Sequence, residues 1–365
     1  MIVVLVLGSC KKETNTQPSN VNTLVYQAGP GFYSPATALI IFNGNLVAAH
    51  SDSVSQWNGS TWTTLGSGLS GTVNALTIYN GNLIAAGGNL VEMWNGASWQ
   101  SIGAAFNNSV NALTVYNGNL IAGGNFDTNQ HGVANKIAEW NGTKWSPIAD
   151  SGMQVWSIGV NALTVFNGSL IMAGAFGYSG KYNASNIAMF NGSTWLNMGT
   201  GLSSNIYSLS IYNGNLIAGG SFVDVLGASD TAKNIAQWDG SNWTILGTSK
   251  IGTPAFINQG TVIFSLSDYN NNLIVGGGFF SIGSYEAYAL AMYNGNLWSS
   301  PFGEIVEYSL AENTPGQPFL SPGPDVIYSS ITYNGNLVIG GYFNNVGGVH
   351  ANGIAQWNGS SWSAM

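Results

Sequence analysis

Arginine is absent from this chain of 365 residues, and all seven basic residues are lysines. Charge is scarce throughout: Asp, Glu and Lys together make 6% of the sequence, with 15 acidic side chains and a net charge of -8. Such a chain lacks the phosphate-neutralising patch of a nucleic-acid binder. It also lacks the guanidinium fork that grips carboxylates, phosphates or sialic acids in bidentate fashion. The single cysteine, Cys10, excludes an intrachain disulfide and any cysteine-based zinc site. No apolar run reaches the ~18–20 residues a membrane-crossing helix needs. Proline is sparse at 10 residues, five of them between 301 and 325.

The excess lies in glycine, with 50 residues, and asparagine, with 44. Hydrophobic residues make a normal 45%, unlike the composition of a disordered chain. Glycine and asparagine beside a full apolar complement point to many tight turns between many short strands.

From residue 37 onward one unit recurs, clearest in Val110-Asn-Ala-Leu-Thr-Val-Tyr-Asn-Gly-Asn-Leu-Ile-Ala-Gly-Gly-Asn-Phe126. A first turn stands at Asn43-Gly44, Asn80-Gly81, Asn117-Gly118, Asn167-Gly168, Asn213-Gly214, Asn270-Asn271 and Asn334-Gly335. A second stands at Asn58-Gly59, Asn95-Gly96, Asn141-Gly142, Asn191-Gly192, Asp239-Gly240, Asn294-Gly295 and Asn358-Gly359. Three residues after each second-turn glycine comes a tryptophan: Trp62, Trp99, Trp145, Trp195, Trp243, Trp298 and Trp362. Asn-Gly between apolar runs signals a type I′ hairpin, because both central residues need positive φ. Each unit therefore holds two hairpins, four antiparallel strands A to D. A two-residue second turn would pair Trp57 with Ser60 and leave Trp57 and Trp62 diagonal on one face. The A and B strands are apolar on both faces and so lie between other sheets. Seven such units predict an all-β, seven-bladed β-propeller over residues 23–365. Leu24-Val25-Tyr26 falls where a D strand would end, which suggests it adds to the last blade and closes the ring.

Gly123-Gly124, Gly219-Gly220, Gly276-Gly277 and Gly340-Gly341 end apolar B strands and precede a strand-C aromatic. This resembles the diglycine-and-aromatic pattern of kelch-type propellers, the fold also of the galactose oxidase central domain. The first, second and fourth units depart from it with Ala49-His50, Ala86-Gly87 and Ala173-Gly174. The oxidase's copper site and thioether cofactor need a propeller cysteine, which this chain lacks, so no cofactor is expected. At the other end, Met1–Leu7 is apolar and runs into Leu7-Gly8-Ser9-Cys10. This resembles a bacterial lipoprotein signal with its lipobox over residues 1–10, in which Cys10 becomes the acylated first residue. No Lys or Arg precedes the apolar stretch, so a start codon upstream is expected; the alternative is a buried N-terminal strand with an incidental cysteine. Residues 11–22 read as a polar tether. The resemblance implies a protein of the cell envelope, lipid-anchored to the outer membrane on its periplasmic or outer side, with no membrane contact other than the lipid.

In a four-stranded blade the A–B and C–D turns share one face of the propeller. The B–C and D–A connections share the other, and they carry the length variation, so a site belongs there. The longer B–C loops follow a Gly-x-Phe whose phenylalanines, Phe126, Phe176, Phe222, Phe279 and Phe343, read as loop anchors. Beyond them stand candidate ligand contacts Asp127, His131, Tyr178, Tyr182, Asp224, Tyr285, Glu286 and His350. Among D–A connections, 149–159 contains Trp156, the tryptophan outside the repeat, placed on a loop to stack on a sugar or anchor a partner. Pro301–Asp325 is a proline-rich acidic insertion. No nucleophile elbow, phosphate loop, calcium run or histidine metal spacing appears, so neither catalytic nor metal residues are assigned. The leading expectation is a binding module for a glycan or an envelope protein. The alternatives are a hydrolase or lyase built on Asp127, Asp224, Glu286 or Glu304, and an architectural surface or adhesion protein. With so few charges, any site must work by shape, aromatics and neutral hydrogen bonds. If Cys10 carries the anchor, Cys10→Ala moves the protein from the membrane to the soluble fraction; unchanged partition of the variant refutes it.

Overall fold

The computed structural model describes residues 31–32, 34–67, 69–129, 132–133, 135–148, 154–179, 185–222, 234–246, 262–282, 285–303, 305–306 and 325–365. They form seven four-stranded antiparallel sheets, each in the order A-B-C-D, the blades of a β-propeller. The A strands are Ala36–Phe42, Val73–Tyr79, Val110–Tyr116, Gln154–Phe166, Ile206–Tyr212, Val262–Tyr269 and Val326–Tyr333. They meet one another around a central channel, the last against the first. The signal, the tether and Leu24–Tyr26 lie outside the described residues.

The first turns behave as their composition dictates. Phe42 pairs with Asn45, and Asn43 and Gly44 take φ of 50° and 79°, the type I′ geometry. Blade 6 manages the same turn with Asn270 and Asn271 at 51° and 60°, asparagine being the side chain that best tolerates this region. The second turns differ from the expected form. Trp57 pairs directly with Trp62, so the loop has four residues, and the same holds for the aromatic pair of every blade. The cause is local: Asn58 Oδ1 accepts the backbone N–H groups of both Ser60 and Thr61 at 2.9 Å, an Asx turn that needs the two extra residues. In blade 5 the role falls to Asp239, whose carboxyl the N–H groups of Asn242 and Ser241 hold below its ordinary pKa. Directly opposed, the paired rings sit 4.8 to 5.6 Å apart, closer than a diagonal arrangement brings them.

Apolar clusters fill the seams between blades. The diglycines mark where backbones come closest. A Cβ on Gly123 would stand 2.6 Å from Val160 Cγ1 of the next blade, and one on Gly124 would meet Ser109 O of its own. The strand-D tryptophans bolt the outer end of the seam. Trp99, Trp145, Trp243 and Trp362 donate their indole N–H to Leu65, Ile102, Met198 and Phe302 carbonyls of the preceding blade, at 2.6 to 3.0 Å. Among the described residues the Trp62, Trp195 and Trp298 indoles find no acceptor.

Ring closure uses the same seam. Blade 7 is complete with Trp362–Ala364 as its own D strand. Phe32, Ala36, Leu46 and Ala48 pack against Val338, Ile354 and Met365. Ser329 Oγ donates to Ala36 O at 3.1 Å, and Phe32 N donates to Asn352 O at 2.8 Å. His50 sits at this junction, stacked on Phe32 at 4.0 Å and 2.9 Å from Ser55 Oγ. Burial lowers its pKa below 6.5, partly offset by the Asp52 carboxylate.

Two measurements follow from the seams. Trp145→Phe leaves the Ile102 carbonyl without its donor and costs about 1–3 kcal/mol, whereas Trp298→Phe gives up no such bond; denaturant titrations giving equal losses would remove the hydrogen bond from the account. For His50 the neutral form is favoured in the folded state, so its stabilisation is complete above the unfolded pKa near 6.5. It is lost as pH falls from there towards the lowered folded value. Thermal melts between pH 7 and 5 should show that decline in the wild type and a flatter profile in His50→Asn.

Candidate functional site at the channel mouth

Each A strand carries a β-bulge, where one extra residue escapes the ladder and is re-aimed. The bulged residues are Thr37, Asn74, Asn111, Asn161, Tyr207, Phe264 and Tyr328. Because A strands start where D–A connections arrive, the seven side chains ring the channel on its variable face. In blades 1 to 4 they are hydrogen-bond donors reaching the carbonyl just before the bulge of the next blade's A strand. Thr37 Oγ1 bonds Val73 O at 2.7 Å, Asn74 bonds Val110 O at 3.1 Å, Asn111 bonds Val160 O at 3.2 Å, and Asn161 bonds Ile206 O at 3.1 Å.

Blades 5 to 7 change the chemistry. Tyr207 and Phe264 stand 5.1 Å apart with planes at 53°, and Phe264 and Tyr328 5.4 Å apart at 56°. Three half-buried rings thus form an arc on one side of the mouth, facing the amide belt on the other. Asn205 donates to the Tyr207 hydroxyl at 2.9 Å, which fixes that oxygen as an acceptor and leaves its proton to point elsewhere.

The mouth opens on a cavity of about 260 Å³, lined by Asn111, Tyr207, Phe264, Ser208, Ser265 and Ser329 among alanines and leucines, with no charged side chain. Leucines 39, 76, 113, 163, 209 and 266 line it two residues further down the A strands. Blade 7 has Ser330 in this position, bonded to Ser265 Oγ and Ser267 Oγ at 2.7 and 2.6 Å.

The described residues among those expected from sequence stand on different blades and do not converge. Asp127 is clamped 2.7 Å from Lys136 Nζ, and Lys136, buried, also bonds Asn125 O at 3.0 Å. The pair holds the blade 3 loop and is not poised for chemistry. Glu286 is exposed, with the Tyr288 hydroxyl donating to it at 3.3 Å. Tyr285 and Glu286 form one strand of a ribbon with Ser281–Ile282, and exposed His350 belongs to a like ribbon, Asn345–Val346 with Val349–His350. Ile305–Val306, at the start of the acidic insertion, adds a third strand to the latter. These connections are thus short hairpins where loops were expected. The Gly-x-Phe phenylalanines are buried beneath them, as anchors should be. Trp156 and Tyr178 also lie on strands: blade 4 extends its A strand to Gln154–Phe166 and its B strand to Ser169–Ser179, pairing Trp156 with Gly177 and Val155 with Tyr178. His131, Tyr182, Asp224 and Glu304 lie outside the described residues. Among those described, no three His, Cys, Asp or Glu gather as a metal site.

Sequence reasoning missed Tyr207, Phe264 and Tyr328. The signal was present: the slot that reads Thr or Asn in four units turns aromatic in three consecutive ones. The strong β-propensity of the rings disguised them as ordinary strand residues.

The chain matches no protein-family model and no curated protein. Solved structures share its fold. The extracellular domain of the putative one-component system BT4673 from B. thetaiotaomicron aligns over 88% of this chain with a TM-score of 0.57 and 11% identity. A structure of that domain described as a putative hybrid two-component system aligns over 91% with a TM-score of 0.58 and 12% identity. This chain spans 38% and 40% of the length of those two. The computationally designed Ika8 protein aligns over 90% of this chain and 97% of its own, with a TM-score of 0.50 and 13% identity. At these identities the likeness is one of fold.

Proposed function

We propose that this protein is a lipid-anchored cell-envelope propeller that binds a glycan or protein ligand through its variable face. The carrying observation is the half-buried arc of Tyr207, Phe264 and Tyr328 at the mouth of an uncharged cavity. Aromatic rings with one face open supply contact area at low entropic cost, and interfaces concentrate them for that reason. An enzyme reading has less support, because Asp127 is committed to Lys136 and Glu286 stands on a different blade. The envelope placement rests on the Cys10 lipobox resemblance and is in keeping with extracellular domains among the propellers of this fold. Anchoring by acyl chains leaves the propeller free to meet large ligands, since a twelve-residue tether reaches up to ~40 Å.

The test is a glycan array together with immobilised envelope proteins, probed with the wild type and with Trp156→Ala. Wild-type binding to at least one glycan or protein is expected, weakened about tenfold or more in the variant if Trp156 anchors the ligand. Absence of binding to every glycan and envelope protein overturns the proposal.

A further inference from the structure

Resting on that reading of the variable face, we infer that the channel mouth takes one neutral sugar ring, the end of a glycan chain, with the Tyr207–Phe264–Tyr328 arc against its C–H face. The argument is one of matching. An apolar side chain would satisfy the aromatic arc but leave the Asn111 amide oxygen of the opposite wall without a donor, and a buried polar group without a partner costs about 1–3 kcal/mol. An anionic or cationic ligand finds no counter-charge, since no charged side chain lines the cavity. A pyranose has an apolar face of axial C–H bonds and a rim of hydroxyls, so it meets both walls at once.

The polar groups are those a sugar rim needs. The Tyr207 hydroxyl accepts from Asn205 and keeps its own proton to donate. Asn111 spends its Nδ2 on Asn125 Oδ1 and Val160 O, and among the described residues its Oδ1 accepts no bond. The carbonyls of Val73, Val110, Val160 and Ile206 are taken by the belt, so the free acceptor on that wall is the Asn111 Oδ1. Size points the same way: about 260 Å³ is below the ~300–1,000 Å³ of pockets for drug-sized ligands, which suits one sugar ring. The ligand therefore enters end-on, and its remaining residues run out over the variable face.

Saturation-transfer NMR with the methyl glycosides of glucose, galactose, mannose and N-acetylglucosamine tests this, with methyl glucuronide as the charged control. At least one neutral glycoside should receive saturation at its ring C–H protons, and the glucuronide less. Phe264→Leu, which keeps apolar bulk and should keep the wild-type melting temperature, should weaken binding about tenfold, the loss of one aromatic stack. Tyr207→Phe should weaken it less. No transfer to any neutral glycoside, or equal binding by wild type and Phe264→Leu, overturns the inference. If a glycan or protein from the array still binds and Phe264→Leu leaves that unchanged, the sugar site is wrong while the binding-module reading stands; if nothing binds, that reading fails too.

Discussion

Twisted sheets share an axis only if each lets the next come to backbone distance at its inner end, while still filling the widening gap outside. In this protein that single requirement, repeated around the ring, sets the residue types along most of the chain. At the inner end there is no room for a side chain, and glycine stands at 123, 219, 276 and 340 because a Cβ there would meet the residue before the bulge in the next blade's A strand. At the outer end the gap is wide, and a pair of aromatic rings per blade fills it. The indole N–H is long enough to reach a carbonyl across the seam, so one residue supplies both bulk and a directional bond. Ala49, Ala86 and Ala173 show that the inner clearance has some tolerance: the seams of blades 1, 2 and 4 accept a methyl group, and the clusters there are as fully buried as elsewhere.

The bulge slot obeys a looser rule, which is why it can carry function. Its side chain leaves the ladder and need only cap the next blade's edge or fill the mouth. In blades 1 to 4 Thr or Asn ties adjacent A strands together, a structural use of a polar group. Aromatic residues at 207, 264 and 328 give up that tie, and compensation appears lower in the same blades. Ser265, Ser267 and Ser330 link blades 6 and 7, Thr332 donates to Asp268 O at 2.6 Å, and Ser329 reaches blade 1. The serine in place of a seventh leucine, unexplained as a core residue, makes sense as part of this replacement seam.

Much of the fold was legible because turns and seams impose residue identity through backbone geometry. Asn43-Gly44 and its counterparts report positive φ, and Trp at a fixed distance beyond Asn-Gly reports a pairing register. The four-residue second turn was misread because Asn58-Gly59 has the composition of a two-residue hairpin. What distinguishes it is the Asn58 carbonyl accepting two N–H groups, a contact with no spacing signature of its own. The variable face was legible as a location and not as a site. Asp127 and Glu286 stood out by chemical type, yet charge type does not say whether a group is already partnered, and Lys136 was close enough in sequence to do so. The B–C ribbons were hidden by strands only two residues long, too short for alternation to register. The aromatic arc was hidden in the opposite way, inside strands whose pattern seemed already explained.

The scarcity of charge and the geometry of the mouth reinforce each other. In a propeller the A strands are sheet edges, so the channel wall presents backbone donors and acceptors whatever the side chains are. A charged lining would have to be desolvated against those fixed dipoles, at a cost only a bound counter-ion could offset. Side chains of Ser, Asn, Ala and Leu avoid that cost and keep the wall neutral, while three aromatic rings, tilted to one another, break the ring's symmetry and give one direction of approach an apolar surface. Specificity then has to come from where hydroxyls fall along a rim rather than from charge, and affinity from stacking rather than ion pairing. Binding at such a wall should depend little on salt, since no ion pair is there to be screened. Under the proposed anchoring, a propeller with this wall would suit neutral chain ends that pass close to the membrane surface, and would suit poorly anything whose recognition depends on charge.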